Sequence, residues 1–187
     1  MGQIKGRLGV RAMKFTGTIL ALDLATVTGF AWGKPGKPPN FGHIRLAKLG
    51  ADRARIHRNF RDWLQTRWNV RDHQPELVVY ESPASPMIMM GRTHISTIKL
   101  LIGLCEHLEE FCFEKFELRE ASVGQVRAHF IGGNFKSAVA KQMTVDRCLQ
   151  LGWMVTNDNE ADACALWDYQ VACIRPDLAY KTTALFG

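Results

Sequence analysis

At 187 residues the chain has the length of one domain with a sizeable core; two full domains would be cramped. Its 47% hydrophobic and 22% charged residues are ordinary for a globular fold and exclude long disordered or collagen-like stretches. Lys and Arg outnumber Asp and Glu by 24 to 18, a net charge of +6 that favours an anionic partner such as nucleic acid.

Residues 1 to 17 form a basic N-terminal arm, with Lys5, Arg7, Arg11 and Lys14 and no acid. They lack the apolar stretch of a secretory signal, so they read as a disordered arm, or an extension upstream of a second start at Met13, ahead of an organellar targeting peptide. The single domain follows from residue 18. Thr18-Ile-Leu-Ala-Leu-Asp23 is an apolar strand ending in a carboxylate, and Gly29-Phe-Ala-Trp-Gly33 is a second strand reached by a hairpin. Lys34 to Asn40 is a turn-rich loop, and Phe41 to Ile44 supplies a third strand, antiparallel like the first two.

From Asp52 to Trp68, apolar Ile56, Phe60, Trp63, Leu64 and Trp68 recur at helical spacing, with Arg53, Arg55, Arg58 and Arg61 on the remaining faces. The tryptophans fall on the apolar side and read as core. The arginines are either a phosphate track or a solvated face. Glu76-Leu-Val-Val-Tyr-Glu81 hardly alternates, as expected of a central strand covered on both faces, and it too ends in a carboxylate. Ser82-Pro-Ala-Ser-Pro86 breaks the chain before an apolar stretch over Met87 to about Cys112 that reads as one long helix, or as a loop and helix.

Phe116 to Ala121 reads as a strand, and Ser122 as the N-cap of a short helix through Phe130. The loop Gly132-Gly-Asn-Phe-Lys136 leads to a helix over Ser137 to Leu151. Trp153 to Thr156 reads as a brief strand, and the last helix opens at Asn157-Asp-Asn-Glu-Ala-Asp162 and runs to about Ile174. No apolar run approaches the ~20 residues that span a bilayer, so no membrane is expected. Cys105, Cys112, Cys148, Cys164 and Cys173 are odd in number with no CxxC pair; they read as reduced, buried thiols of a cytoplasmic protein and not as a zinc site. The spacing around Gly132, Gly133, Lys136 and Ser137 is not that of a Walker loop, which excludes a nucleotide cofactor. The scattered histidines lack metal spacing and read as structural or surface groups; His129 is the one that stands near the Lys136 loop.

Acids therefore end the first and fourth strands and open the last helix. Ligand sites of open sheets gather at the carboxyl ends of strands, so Asp23 and Glu81 converge if their strands are neighbours, and Asp162 then completes the cluster. Carboxylates so gathered repel one another unless a divalent cation neutralises them, and oxygen-only ligands suit Mg²⁺ or Mn²⁺ in a two-metal phosphoryl-transfer arrangement.

The segments Ile19 to Trp32, Leu77-Val-Val-Tyr-Glu81, Gly133-Asn-Phe-Lys136-Ser137 and Glu160-Ala-Asp162-Ala-Cys-Ala resemble, in order, spacing and residue type together, the RuvC-type Holliday junction resolvases of the RNase H-like superfamily, including phage-borne relatives. The resemblance covers roughly residues 18 to 175. It implies an α/β fold with a five-stranded mixed sheet flanked by helices on both faces, a homodimer, and Mg²⁺ as cofactor with Mn²⁺ also supporting activity. It further implies paired nicks in opposing strands of a four-way DNA junction. It places catalytic, metal-binding roles on Asp23, Glu81 and Asp162.

The family's further acid falls at Asn159 here. Asp158, four residues before Asp162 and on the same helical face, is the preferred fourth ligand, with Glu160 as a solvated or arginine-paired helix start. Lys136 matches a family lysine at the scissile phosphate, and Arg92, Arg127 and Lys141 are the further cations expected to bind DNA. The aromatic residue that family members carry after the second acid is replaced by the Met87 to Met90 region, either an apolar wedge or packing at the core or a dimer face. Two other readings stay open: a nuclease of this fold acting on other branched DNA or RNA-containing duplexes, and an inactive nucleic-acid-binding module, which Asn159 favours and the other three acids oppose.

Overall fold

A computed structural model describes residues 15–70, 74–83 and 93–180. Five strands, β1 (Ile19–Asp23), β2 (Val27–Gly33), β3 (Asn40–Arg45), β4 (Leu77–Glu81) and β5 (Glu117–Ala121), form one sheet in the order β3-β2-β1-β4-β5. The first three are antiparallel neighbours, while β4 runs parallel to both β1 and β5, so the sheet is mixed. The central position of β1 and β4 explains their unbroken apolar runs: successive side chains point to opposite faces, and both faces are covered. Ile19, Ala21, Leu77 and Val79 enter one core, and Leu20, Leu22, Val78 and Tyr80 the other.

Five helices occupy the described residues. On one face lie α1 (Arg53–Trp68) and α2 (Ile95–Cys112), which pack on each other. Asp52 caps α1 by accepting from Ala54 N at 2.7 Å, and the helix buries Ile56, Phe60, Leu64 and Trp68 as their spacing predicts. Trp68 packs edge-on against Phe30 and Trp32 at 5.7 and 5.8 Å. Arg53, Arg55, Arg58 and Arg61 are exposed. The part of the long-helix expectation over Met87 to Arg92, Arg92 itself included, lies outside the described residues.

The other face carries α3 (Val123–Ile131), α4 (Ser137–Gln150) and α5 (Asp158–Ile174). Ser122 is the N-cap of α3, in a capping box with Gln125. The five-stranded mixed sheet with helices on both faces is the architecture expected from the sequence, and among the described residues no helix is long and apolar enough to cross a membrane.

Some expectations are corrected. Trp153 to Thr156 is not a strand. The segment links α4 to α5 without pairing to any strand of the sheet, and Trp153 stacks on Phe130 and meets Trp167 and Tyr180 edge-on. Four cysteines are buried, but Cys173 is exposed, on the outward face of the last turn of α5. Phe15, within the residues read as the arm, lies against the core, and its carbonyl accepts from Arg175 Nη1 at 3.1 Å.

Candidate active site

The parallel pairing of β1 with β4 matches Leu22 to Tyr80, so the next residues, Asp23 and Glu81, end adjacent strands side by side. Strand alternation gives them the same face as Ile19, Ala21, Leu77 and Val79, the face covered by α5. Asp162 lies one turn into α5. The start of that helix is held over the strand ends by a close backbone approach, because Gly29, paired with Asp23 across the hairpin, faces the carbonyl of Asn159. A Cβ at position 29 would overlap that carbonyl oxygen. Gly29→Ala is therefore expected to displace the start of α5, costing about 1–3 kcal/mol by overpacking, which calorimetry would read as a lowered Tm together with weakened activity.

All three acids are held above the ordinary carboxylate range, burial being the first cause in each. The Asp23 carboxyl is pushed up to about 8, first by burial and then by the charges of Asp162 and Glu81. Glu81 rises to about 7 through burial and the charge of Asp162, against a lowering pull from Arg127. Burial also raises Asp162, opposed by Lys141 and Arg127. Asp23 and Glu81 share the wall of a cleft of about 190 Å³ that Leu101 and Cys105 also line. A larger cavity, about 480 Å³, opens beside Tyr80, Glu109 and Phe116, and none of the acids lines it.

Arg127 reaches the acids because β5 pairs with β4 as far as Glu81 and Ala121, and α3 begins immediately afterwards, beside Glu81. Lys141 reaches them because α4 packs on α5; its ammonium is bonded to the carboxylate of Asp158 and also lowers Asp23 and Asp162. Asp158 is held below the usual carboxylate range by that bond, yet its charge still raises Asp23 and Asp162. Lys136, at the exposed N-cap of α4, makes no side-chain cap hydrogen bond.

Glu160 is not a solvated or arginine-paired helix start. It is buried, accepting from Thr156 N at 2.7 Å and Thr156 Oγ1 at 3.0 Å and bonding His43 Nδ1 at 2.7 Å, while its own N–H donates to the N-cap Asn157. Burial raises its carboxyl, but those bonds win and hold it below the ordinary range. Its task is to tie the start of α5 to β3. His129 is likewise structural, bonded at 2.9 Å to buried Asp168, which also accepts from Tyr180 N. Sequence reasoning did not single out His43 or Asp168, since each partner lies far away along the chain.

Among the described residues no three His, Cys, Asp or Glu side chains, as they stand, form a group that could hold a metal ion. The donor chemistry fits one nonetheless. Three buried carboxyls, with the charges of Glu81 and Asp162 both raising Asp23, are oxygen donors whose ionisation a hard divalent cation would favour.

No protein-family model and no curated protein matches the sequence. Solved structures do match the fold. The Thermus thermophilus RuvC structure aligns at 13% identity over 87% of this chain and 98% of its own, with a TM-score of 0.62. T. thermophilus RuvC in complex with a Holliday junction substrate aligns at 15% identity over the same shares, with a TM-score of 0.60. The yeast mitochondrial Holliday junction resolvase Ydc2 aligns at 13% identity over 79% of this chain and 75% of its own, with a TM-score of 0.53. The chain thus has the RuvC-type, RNase H-like fold.

Proposed function

We propose that this protein is a divalent-metal-dependent endonuclease that resolves four-way DNA junctions by paired nicks in opposing strands, in DNA recombination and repair. The observation that carries the reading is the convergence of Asp23, Glu81 and Asp162 at the carboxyl ends of two adjacent parallel strands, each held above its ordinary range, with Arg127 and Lys141 beside them. The structural likeness to a RuvC that has been seen with a Holliday junction supports the choice of substrate.

Asp23, whose carboxyl is raised by both other acids, would hold Mg²⁺ or Mn²⁺ together with Glu81 and Asp162. When bound, such ions supply positive charge to the phosphoryl oxygens and lower the pKa of the attacking water. The protein's own groups do the placing. Arg127, Lys141 and Lys136 hold backbone phosphates, and burial of the acids keeps competing water from their charges. One chain carries one such centre, so two opposed cuts require a symmetric homodimer, which we place on α2.

The test is incubation with labelled four-way junction, Y-fork, linear duplex and RNA/DNA hybrid, each with Mg²⁺, Mn²⁺ or EDTA, alongside sedimentation of the same samples. Paired nicks in the junction alone, metal-dependent and made by a dimer, are expected. Cutting of the hybrid in preference to the junction would assign the other substrate class, and binding without cutting in every metal would mark an inactive module.

A further inference from the structure

Three consecutive side chains compete for the role of fourth acid, and their placements differ. Asn159 has no charge, and its carbonyl is pressed against Gly29. Glu160 is committed to His43 and Thr156. Asp158 alone of the three charges both Asp23 and Asp162 upward, yet its carboxylate is taken by the ammonium of Lys141. That ammonium also faces Asp23 and Asp162, so it stands in the free protein as a tethered positive charge at the edge of the acid cluster.

The pair is open to solvent, with side chains 46% and 38% exposed. An ion pair so exposed is worth ~0–1 kcal/mol, so a partner that offers the lysine a better anion replaces Asp158 at little cost. A DNA phosphate is such an anion: its binding to Lys141 also releases condensed counterions, a gain the carboxylate cannot match. The freed carboxylate then lies on the same helical face as Asp162, one turn before it.

We propose that Lys141 and Asp158 form an exchangeable pair that couples substrate arrival to assembly of the site: in the DNA-free protein Lys141 keeps Asp158 out of the donor set, and a substrate phosphate that takes the ammonium releases Asp158 to complete it. This rests on the phosphodiester-cleaving reading above. The exchange balances charge, since the cation moves to the arriving phosphate as the carboxylate becomes available for a second divalent ion. A site without this device would gather two ions in the absence of DNA.

Two measurements test the exchange, and neither needs cleavage. In DNA-free protein, Mn²⁺ bound per chain is counted by electron paramagnetic resonance: the wild type is expected to bind one ion tightly, Lys141→Gln two, and Lys141→Gln with Asp158→Asn one again. In EDTA, junction affinity is measured for the same set plus Asp158→Asn alone. Removing the carboxylate is expected to tighten binding about three- to tenfold when Lys141 is present and less than about twofold when it is replaced. Equal ion counts in wild type and Lys141→Gln, or equal gains from Asp158→Asn in both backgrounds, would overturn the exchange while leaving the nuclease reading standing. A chain that binds no Mn²⁺ and shows no junction preference would overturn both.

Discussion

Asp23→Asn is expected to abolish junction cleavage, by about 10³-fold or more, while junction binding persists or tightens. Asn keeps the size and the polar end of the side chain but gives up the negative charge that couples to both Glu81 and Asp162. No neighbouring carboxylate replaces it: Glu160 is turned to His43, and Asp158 stands at the start of α5, one turn before Asp162, not at the end of β1. Loss of a negative charge beside Arg127 and Lys141 makes the surface more attractive to phosphate, so a drop in affinity is not expected. The two readouts, nicking rate and gel-shift affinity with a labelled junction, must therefore separate. Variants that bind and cut at near wild-type rates would show that the carboxylates are not the reacting centre.

The second large effect is on stability, and it has the opposite sign from ordinary acid denaturation. Asp23 and Glu81 have folded-state values of about 8 and about 7, above their unfolded values of 3.8 and 4.5. The folded state therefore binds these protons more tightly, so the stability they contribute is full below pH ~4 and is lost as pH rises toward 8. Asp158 and Glu160, held low, act in the reverse direction, but only within and below the ordinary carboxylate range. The joint contribution of Asp23 and Glu81 over the rise toward pH 8 is about 2–3 kcal/mol. For a chain of this length that is a fall in Tm of roughly 5–10 °C between pH 5.5 and 8.5 in EDTA. Calorimetry on the wild type should show that fall, Asp23→Asn should flatten it, and Mn²⁺ should restore the wild type at pH 8.5. A wild-type Tm that rises across this range, or an Asp23→Asn protein with the same slope, would show that the acids are not in mutual repulsion.

Much of this architecture is legible in the residues themselves, for local reasons. Unbroken apolar runs can only be central strands, so β1 and β4 announce themselves, and a carboxylate directly after each has no stabilising use there. Asp52 and Ser122 are caps whose partners lie two or three residues away. What was not legible depends on partners distant in sequence. Glu160 looks like a solvated first-turn acid until β3 brings His43 against it, 117 residues away. Lys141 and Asp158 are each singled out by the sequence, but their bond is formed only when α4 and α5 pack together. Trp153 to Val155 has strand composition, but it pairs with no strand of the sheet, and Trp153 is instead recruited to the stack with Phe130 and Trp167.

The claim on which the rest depends is that Asp23, Glu81 and Asp162 together hold a divalent cation. Anomalous diffraction at the manganese edge, from crystals grown with Mn²⁺, tests it without reference to activity. A peak coordinated by carboxylate oxygens of all three residues is expected. A protein crystallised in saturating Mn²⁺ with no peak between them, or with the ion held elsewhere, would contradict it.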